Sequence, residues 1–154
     1  MMKHKKSLRL LVLLAGLACA NIQADRPLLA QGNDALVMVV NKGNSSSSLT
    51  KSDAKRLVLG QTISWPGGGK VVLVMKPEQS ADRASVLQKV CGMSEAEYTR
   101  YEMQVVFAGR PAAAVQIETS SAAVKSFVKS NPGAVGFVHH SEVDGDLKAV
   151  LSIE

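Results

Sequence analysis

Two uninterrupted apolar runs constrain what this chain can fold into more than any other feature. Ala35 to Val40 reads Ala-Leu-Val-Met-Val-Val and stops at Asn41-Lys42-Gly43, and Ala134 to Val138 reads Ala-Val-Gly-Phe-Val behind the stop signal Asn131-Pro132-Gly133. A short run rich in β-branched residues, without alternation and bounded by turn formers, is the pattern of a strand covered on both faces. Val71 to Met75 is another such run, and Leu147 to Ile153 is a fourth strand candidate at an edge, because Lys148 and Ser152 interrupt it.

Helical patterns fill the intervals. Thr50-Lys51-Ser52-Asp53 offers a capping residue with a carboxylate three positions on, and Ala54, Leu57 and Val58 follow at helical spacing up to Gly60. Ser80 caps a helix through about Val90, and Ser94-Glu95-Ala96-Glu97 is a second capping box for a helix reaching about Phe107. Gly109-Arg110-Pro111 breaks the pattern; Ser120 or Ser121 then starts a helix carrying Val124, Phe127 and Val128. Strands separated by helices imply a three-layer α/β lobe with a mostly parallel sheet and right-handed crossovers.

The first 24 residues read as a secretory signal, and residues 25–154 as one domain. Lys3, Lys5, Lys6 and Arg9 form a basic start, Leu10 to Leu17 an apolar stretch, and small residues set up cleavage after Ala20 or after Ala24. That stretch is shorter than the roughly 20 residues a membrane span takes. Cys19 as a lipid-anchored cysteine is the lesser expectation, since Gly16 stands where the lipoprotein pattern wants Leu. The signal holds four of the 18 Lys and Arg and none of the 13 acidic residues, which leaves 14 against 13 and a net charge of +1. The basic balance therefore belongs to the signal, and a nucleic-acid partner is excluded as an expectation. Cys91 would then be a single cysteine in an apolar helical pattern, a small buried hydrophobe.

The residues also resemble a known family. Val39-Val40-Asn41, Leu49-Thr50 opening a helix, and Leu57-Val58-Leu59-Gly60-Gln61-Thr62 with Trp65-Pro66-Gly67-Gly68-Gly69 resemble the "strand, Asn, helix, Phe-Leu-Gly-Lys, Trp, Asp/Gly" run of the substrate-binding proteins of phosphate ABC transporters. Asn131-Pro132-Gly133-Ala134-Val135-Gly136-Phe137-Val138 is similar to that family's "Pro-Gly-Ala-Ile-Gly-Tyr-Val" strand. The resemblance implies a periplasmic-binding-protein-like lobe, a periplasmic or secreted location, and phosphate or a similar oxyanion as ligand in connection with transport or sensing. Two departures stand out. The family closes two lobes over its anion where this chain has room for about one, and the family's Arg…Ser-Gly-Thr loop is replaced by Lys76-Pro77-Glu78-Gln79-Ser80-Ala81-Asp82-Arg83.

In such sheets ligands sit outside the carboxyl ends of the strands, where helix N-termini present free N–H groups. Three helix starts carry small hydroxyl residues there, and the anion-binding candidates are Ser48, Thr50, Ser80, Arg83, Ser120 and Ser121. Arg83 is expected to supply the charge-assisted contact, with Asp82 beside it as a repulsive neighbour. Each of these Ser or Thr residues is equally explained as a simple N-cap. His139-His140 is expected as a surface pair, because adjacent residues of an extended segment point apart. Glu142, Asp144 and Asp146 alternate without a calcium-loop pattern, so no metal site is expected. No nucleophile elbow, phosphate-cradling loop with Lys or zinc-peptidase motif is present, and neither a catalytic residue nor a cofactor is expected. The expected partners are a small anion, an ABC-transporter or envelope protein, and a second copy that could cover the anion's open side. The alternative is a non-catalytic envelope interaction module that kept the fold without phosphate binding.

Overall fold

The computed structural model describes residues 35–154; the expected leader, both cleavage positions and Cys19 lie outside the described residues. Within them run β1 (Leu36–Asn41), α1 (Lys51–Val58), β2 (Val72–Met75), α2 (Ala81–Val86, continued by a π turn Leu87–Cys91), α3 (Glu95–Phe107), β3 (Ala114–Ile117), α4 (Ser121–Ser130), β4 (Ala134–His139) and β5 (Leu147–Ile153). The strands form one sheet in the order β3-β2-β4-β1-β5.

β2 is parallel to β3 and β4, whereas β1 is antiparallel to both of its neighbours, β4 and β5. Four strands therefore point one way and β1 alone runs against them, which makes the sheet mixed. A strand buried on both faces carries the same apolar run in either direction, so the reversal of β1 leaves no mark in the sequence.

Alternation along the central strands divides the core. Met38 and Val40 pack with Leu57, Leu73, Leu87 and Phe137 on the face covered by α1 to α3, while Val37 and Val39 pack with Val74, Val124, Val128 and Val138 under α4. Each such side chain contributes about 1.5–3 kcal/mol relative to exposure. β5 follows the rule with one irregularity. Leu151 pairs with Met38 but Ala149 with Val39, so Val150 is an extra residue, and this bulge lets Val150 and Ile153 share a face although they are three apart. β3 was not expected: it has four residues, small or exposed side chains and an edge position, and so lacks the apolar run that marks the other strands.

Polar bonds lock the end of the sheet where β1 finishes and β2 and β4 begin. Asn41 Nδ2 donates to Val128 O at 3.1 Å and Lys129 O at 2.7 Å, occupying carbonyls left open at the end of α4. Trp65 Nε1 donates to Gly133 O at 2.9 Å, and the same carbonyl accepts from Val72 N at 3.1 Å. Gly133 cannot be replaced freely, because a Cβ there would lie 2.1 Å from Lys70 O. On the other side of the sheet's helical layer, Tyr98 and Tyr101 donate to Val58 O and Leu59 O, docking α3 on the end of α1.

Gly133→Ala is expected to destabilise the protein by about 1–3 kcal/mol or more through backbone displacement. Gly145→Ala, where an added Cβ meets nothing within 4 Å, should be close to neutral. Urea midpoints of the two variants check this difference.

Candidate functional site

β2, β3 and β4 end at one rim, and α2 and α4 begin there. Lys76 directly follows β2. Its Nζ donates to Asp82 Oδ2 at 2.5 Å and to Ser121 Oγ at 3.0 Å, so one ammonium ties the first turn of α2 to the first turn of α4. His139 closes β4 with its Nε2 3.3 Å from Asp82 Oδ1. The side chains of Lys76, Asp82 and His139 are 14, 21 and 27 % exposed, so the cluster is largely buried with some contact to solvent. Burial pushes the Asp82 carboxyl up, but hydrogen bonding and charge from Lys76, then His139, outweigh it and hold the carboxyl below its ordinary value.

The candidates from the sequence fall into three groups. Ser80 and Ser121 are at this rim. Ser80 precedes α2 as its N-cap residue with no side-chain capping bond, and Ser121 Oγ accepts from Lys76. Ser120 is next to them, but its Oγ accepts from Ala123 N at 3.1 Å and serves α4 as a cap. Ser48 and Thr50 are elsewhere. Leu49 N bonds Val150 O in β5, which is three strand spacings from β2, or roughly 14 Å. Thr50 and Asp53 form a reciprocal capping box, with Asp53 N donating to Thr50 Oγ1 at 3.1 Å and Thr50 N to Asp53 Oδ2 at 3.0 Å. A carboxylate therefore already occupies the start of α1, and the three helix starts do not converge.

Arg83 is already committed to protein partners. It is buried, its Nε donates to Glu95 Oε2 at 2.9 Å, its Nη2 to Glu95 Oε1 at 2.6 Å, and its Nη1 to Lys76 O at 3.3 Å. Its Cζ stands 5.5 Å from the Tyr98 ring centroid. Burial lowers the guanidinium's affinity for its proton, but Glu95, Tyr98 and Glu102 more than restore it. Arg83 is thus spent on α3 and on holding the Lys76 backbone. Burial, with Glu95 and Glu78 nearby, in turn raises the carboxyl of Glu102 against the pull of Tyr98 and Arg83.

Sequence reasoning missed Lys76 as the rim cation and read Asp82 and His139 without their partnership. The available signal was position: Lys76 is the first charged residue past a buried strand at its carboxyl end. His139 was expected in a surface loop, and it instead ends β4 with its backbone N–H donating to Glu142 Oε2 at 3.0 Å. Asp144 and Asp146 are engaged by Lys129, and Asp144 also by Lys125. Among the described residues no group of three or more His, Cys, Asp or Glu is placed to hold a metal, and no helix is long and apolar enough to cross a membrane. Cys91 is buried, and burial pushes its thiol up to about 11, which leaves it unreactive.

A carboxyl held low in the folded state contributes stability at pH above its unfolded value, near 3.9, and loses it as pH falls through the folded value. Wild type is therefore expected to lose more stability between pH 5 and pH 2 than Asp82→Asn does, each pH taken as approximate. Urea titrations of both proteins across that range check it. Equal acid limbs would contradict the pairing of Asp82 with Lys76 and His139.

No protein-family model matches the sequence. Among solved structures the chain is similar to one from Clostridium perfringens described as a phosphate ABC transporter substrate-binding protein with bound phosphate, at 26 % identity and TM-score 0.61, covering 76 % of this chain and 44 % of that one. An ABC-type phosphate transport receptor from Vibrio cholerae matches at 24 % identity and TM-score 0.60, covering 76 % of this chain and 45 % of that one. PstS from Borrelia burgdorferi matches at 13 % identity and TM-score 0.58, over 79 % of this chain and 49 % of that one. The last two are likenesses of fold alone, and the chain spans less than half the length of each of the three. The described residues form one lobe with the periplasmic-binding-protein-like fold of the phosphate ABC transporter substrate-binding family.

Proposed function

We propose that this lobe binds a small, protonated oxyanion, phosphate first, at the rim between α2 and α4. The observation that carries the reading is the Lys76 ammonium shared between Asp82 and Ser121 at the carboxyl ends of the strands. Lys76 supplies the charge, Ser80 and Ser121 supply hydroxyls, and the first turns of α2 and α4 add N–H groups and the positive ends of two helix dipoles. Asp82 repels a fully deprotonated anion but accepts a hydrogen bond from one that still carries a P–OH. At neutral pH phosphate keeps such a proton and sulfate does not, so the same carboxylate favours phosphate over sulfate. The resemblance of fold to phosphate-binding proteins supports the ligand class. It also supports export and work beside an ABC transporter or another envelope protein.

Phosphate is expected to raise the unfolding midpoint of the purified protein while sulfate and chloride at matched ionic strength do not. The gain reaches about 2.7 kcal/mol at a hundred times the dissociation constant. Lys76→Ala should weaken phosphate binding about tenfold or more, the scale of a hydrogen bond to a charged group. Arg83→Ala should lower stability with and without phosphate alike. No midpoint rise with any of the three anions sinks the binding reading. The interaction-module reading would then stand, and one observation favours it: Met103, Val106 and Phe107 project from α3 at 55, 75 and 88 % exposure.

A further inference from the structure

β3 is an edge strand with little protection among the described residues. Among the described residues it pairs with β2 alone and lies at the end of the sheet, so its other edge offers backbone groups unpaired within them. Sheet edges are ordinarily blunted by charged side chains, bulges or covering elements. Residues 111–117 carry no charge, and the Val115 and Ile117 side chains are 43 and 46 % exposed. Val115 lines one surface cleft with Tyr98, Val105 and Val106, and a neighbouring one with Glu102 and Ile117, so both side chains rise on the face covered by α3. The edge and the exposed apolar end of α3 form one continuous patch.

We propose that two copies of this chain pair through β3, antiparallel, about a two-fold axis passing between the two Gln116 residues. The backbone sets the register. Glu118 N–H is spent on Met75 O in β2, so by strand alternation the backbone groups of Ala114 and Gln116 face β2 and those of Val115 and Ile117 face the open edge. A second β3 laid antiparallel then exchanges N–H and C=O bonds in two pairs, Val115 with Ile117 of the second copy and the reverse. Gln116 stands opposite its own copy as a non-bonded pair, with Cα atoms about 4.5 Å apart. This register puts Val115 beside Ile117 of the second copy on one face, fusing the two apolar patches and adding the two Val106 side chains to the seam.

The second copy is preferred over an unrelated strand because the edge is complementary to itself. Arg110 lies before β3 and Glu118 after it, so an antiparallel partner of identical sequence, with Glu118 opposite Ala114, keeps like charges apart. A parallel arrangement would set like charges together. The two-fold operation makes the contact isologous and closed, giving one ten-stranded sheet and no further growth through this edge. The pairing is independent of the anion site, since Lys76, Asp82 and Ser121 take no part in it.

Sedimentation velocity of the purified protein over about 1 μM to 1 mM should show a dimer that gains with concentration. Val115→Lys and Ile117→Lys, each at an exposed position, should be monomeric across the same range with the wild-type circular dichroism spectrum. Under mild oxidation Gln116→Cys should form a covalent dimer while Ala114→Cys does not, Cys91 being buried. A monomer throughout would assign the edge to residues 1–34 or to a strand from another protein and overturn the proposal. A dimer untouched by both lysines, or one linked through Ala114→Cys in preference to Gln116→Cys, would overturn it as well.

Discussion

The hydrogen bond from Trp65 Nε1 to Gly133 O is the contact on which the arrangement of the lobe depends. It joins the turn after α1 to the turn after α4, and Val72 N shares the same carbonyl, so the starts of β2 and β4 are fixed together. Lys70 O fills the space a side chain at Gly133 would need, which is why the site is glycine at a backbone angle any residue could adopt. Asn41 completes the lock by closing the end of α4 from the far side of β4. With both parallel strands anchored at their starts, their carboxyl ends emerge side by side. Lys76 and His139 are thereby brought to one carboxylate from positions 63 residues apart.

The charges at that rim follow a single logic. An ammonium half out of water needs a counter-ion, and Asp82 provides one from the first turn of α2, where the helix dipole also favours a negative group. Lys76 is thus held in one orientation, and its position is backed from below by Arg83, whose Nη1 donates to the Lys76 carbonyl. Arg83 is in turn fixed by Glu95 at the start of α3. The arrangement passes rigidity from a buried ion pair to an accessible cation. For the proposed function it sets a chemical condition, because an anion at this rim would have to coexist with Asp82 and would be selected for carrying a proton of its own.

The fold was legible wherever burial wrote a continuous pattern. β1, β2 and β4 are unbroken apolar runs, and Thr50 and Ser94 cap their helices with the reciprocal carboxylates their spacing promised. The four-residue β3 was illegible because an edge strand with small and half-exposed side chains needs no periodicity. The direction of β1 was illegible because direction is decided by connections, not by which side chains are buried. Ser80 and Ser121 were readable as helix starts. Arg83 misled because a sequence shows a charge and not its partner, and Glu95, twelve residues on, claims it. Lys76 was overlooked although it follows a buried strand, since its role rests on Ser121 and Asp82, from two helices that only the sheet brings together. The motifs that resemble the phosphate-binding family, Asn41, Trp65 and Asn131-Pro132-Gly133, belong to the lock at the opposite end. They report the scaffold more directly than the ligand.

A phosphate titration followed by backbone amide NMR tests the central claim most directly. If the anion is held between α2 and α4, shifts will concentrate at the amides of Lys76, Ala81, Asp82, Ser121 and Ala122 and will leave Thr50, Lys51 and Ser52 at the start of α1 unchanged. Shifts centred on α1, or a spectrum unmoved by phosphate, would contradict it.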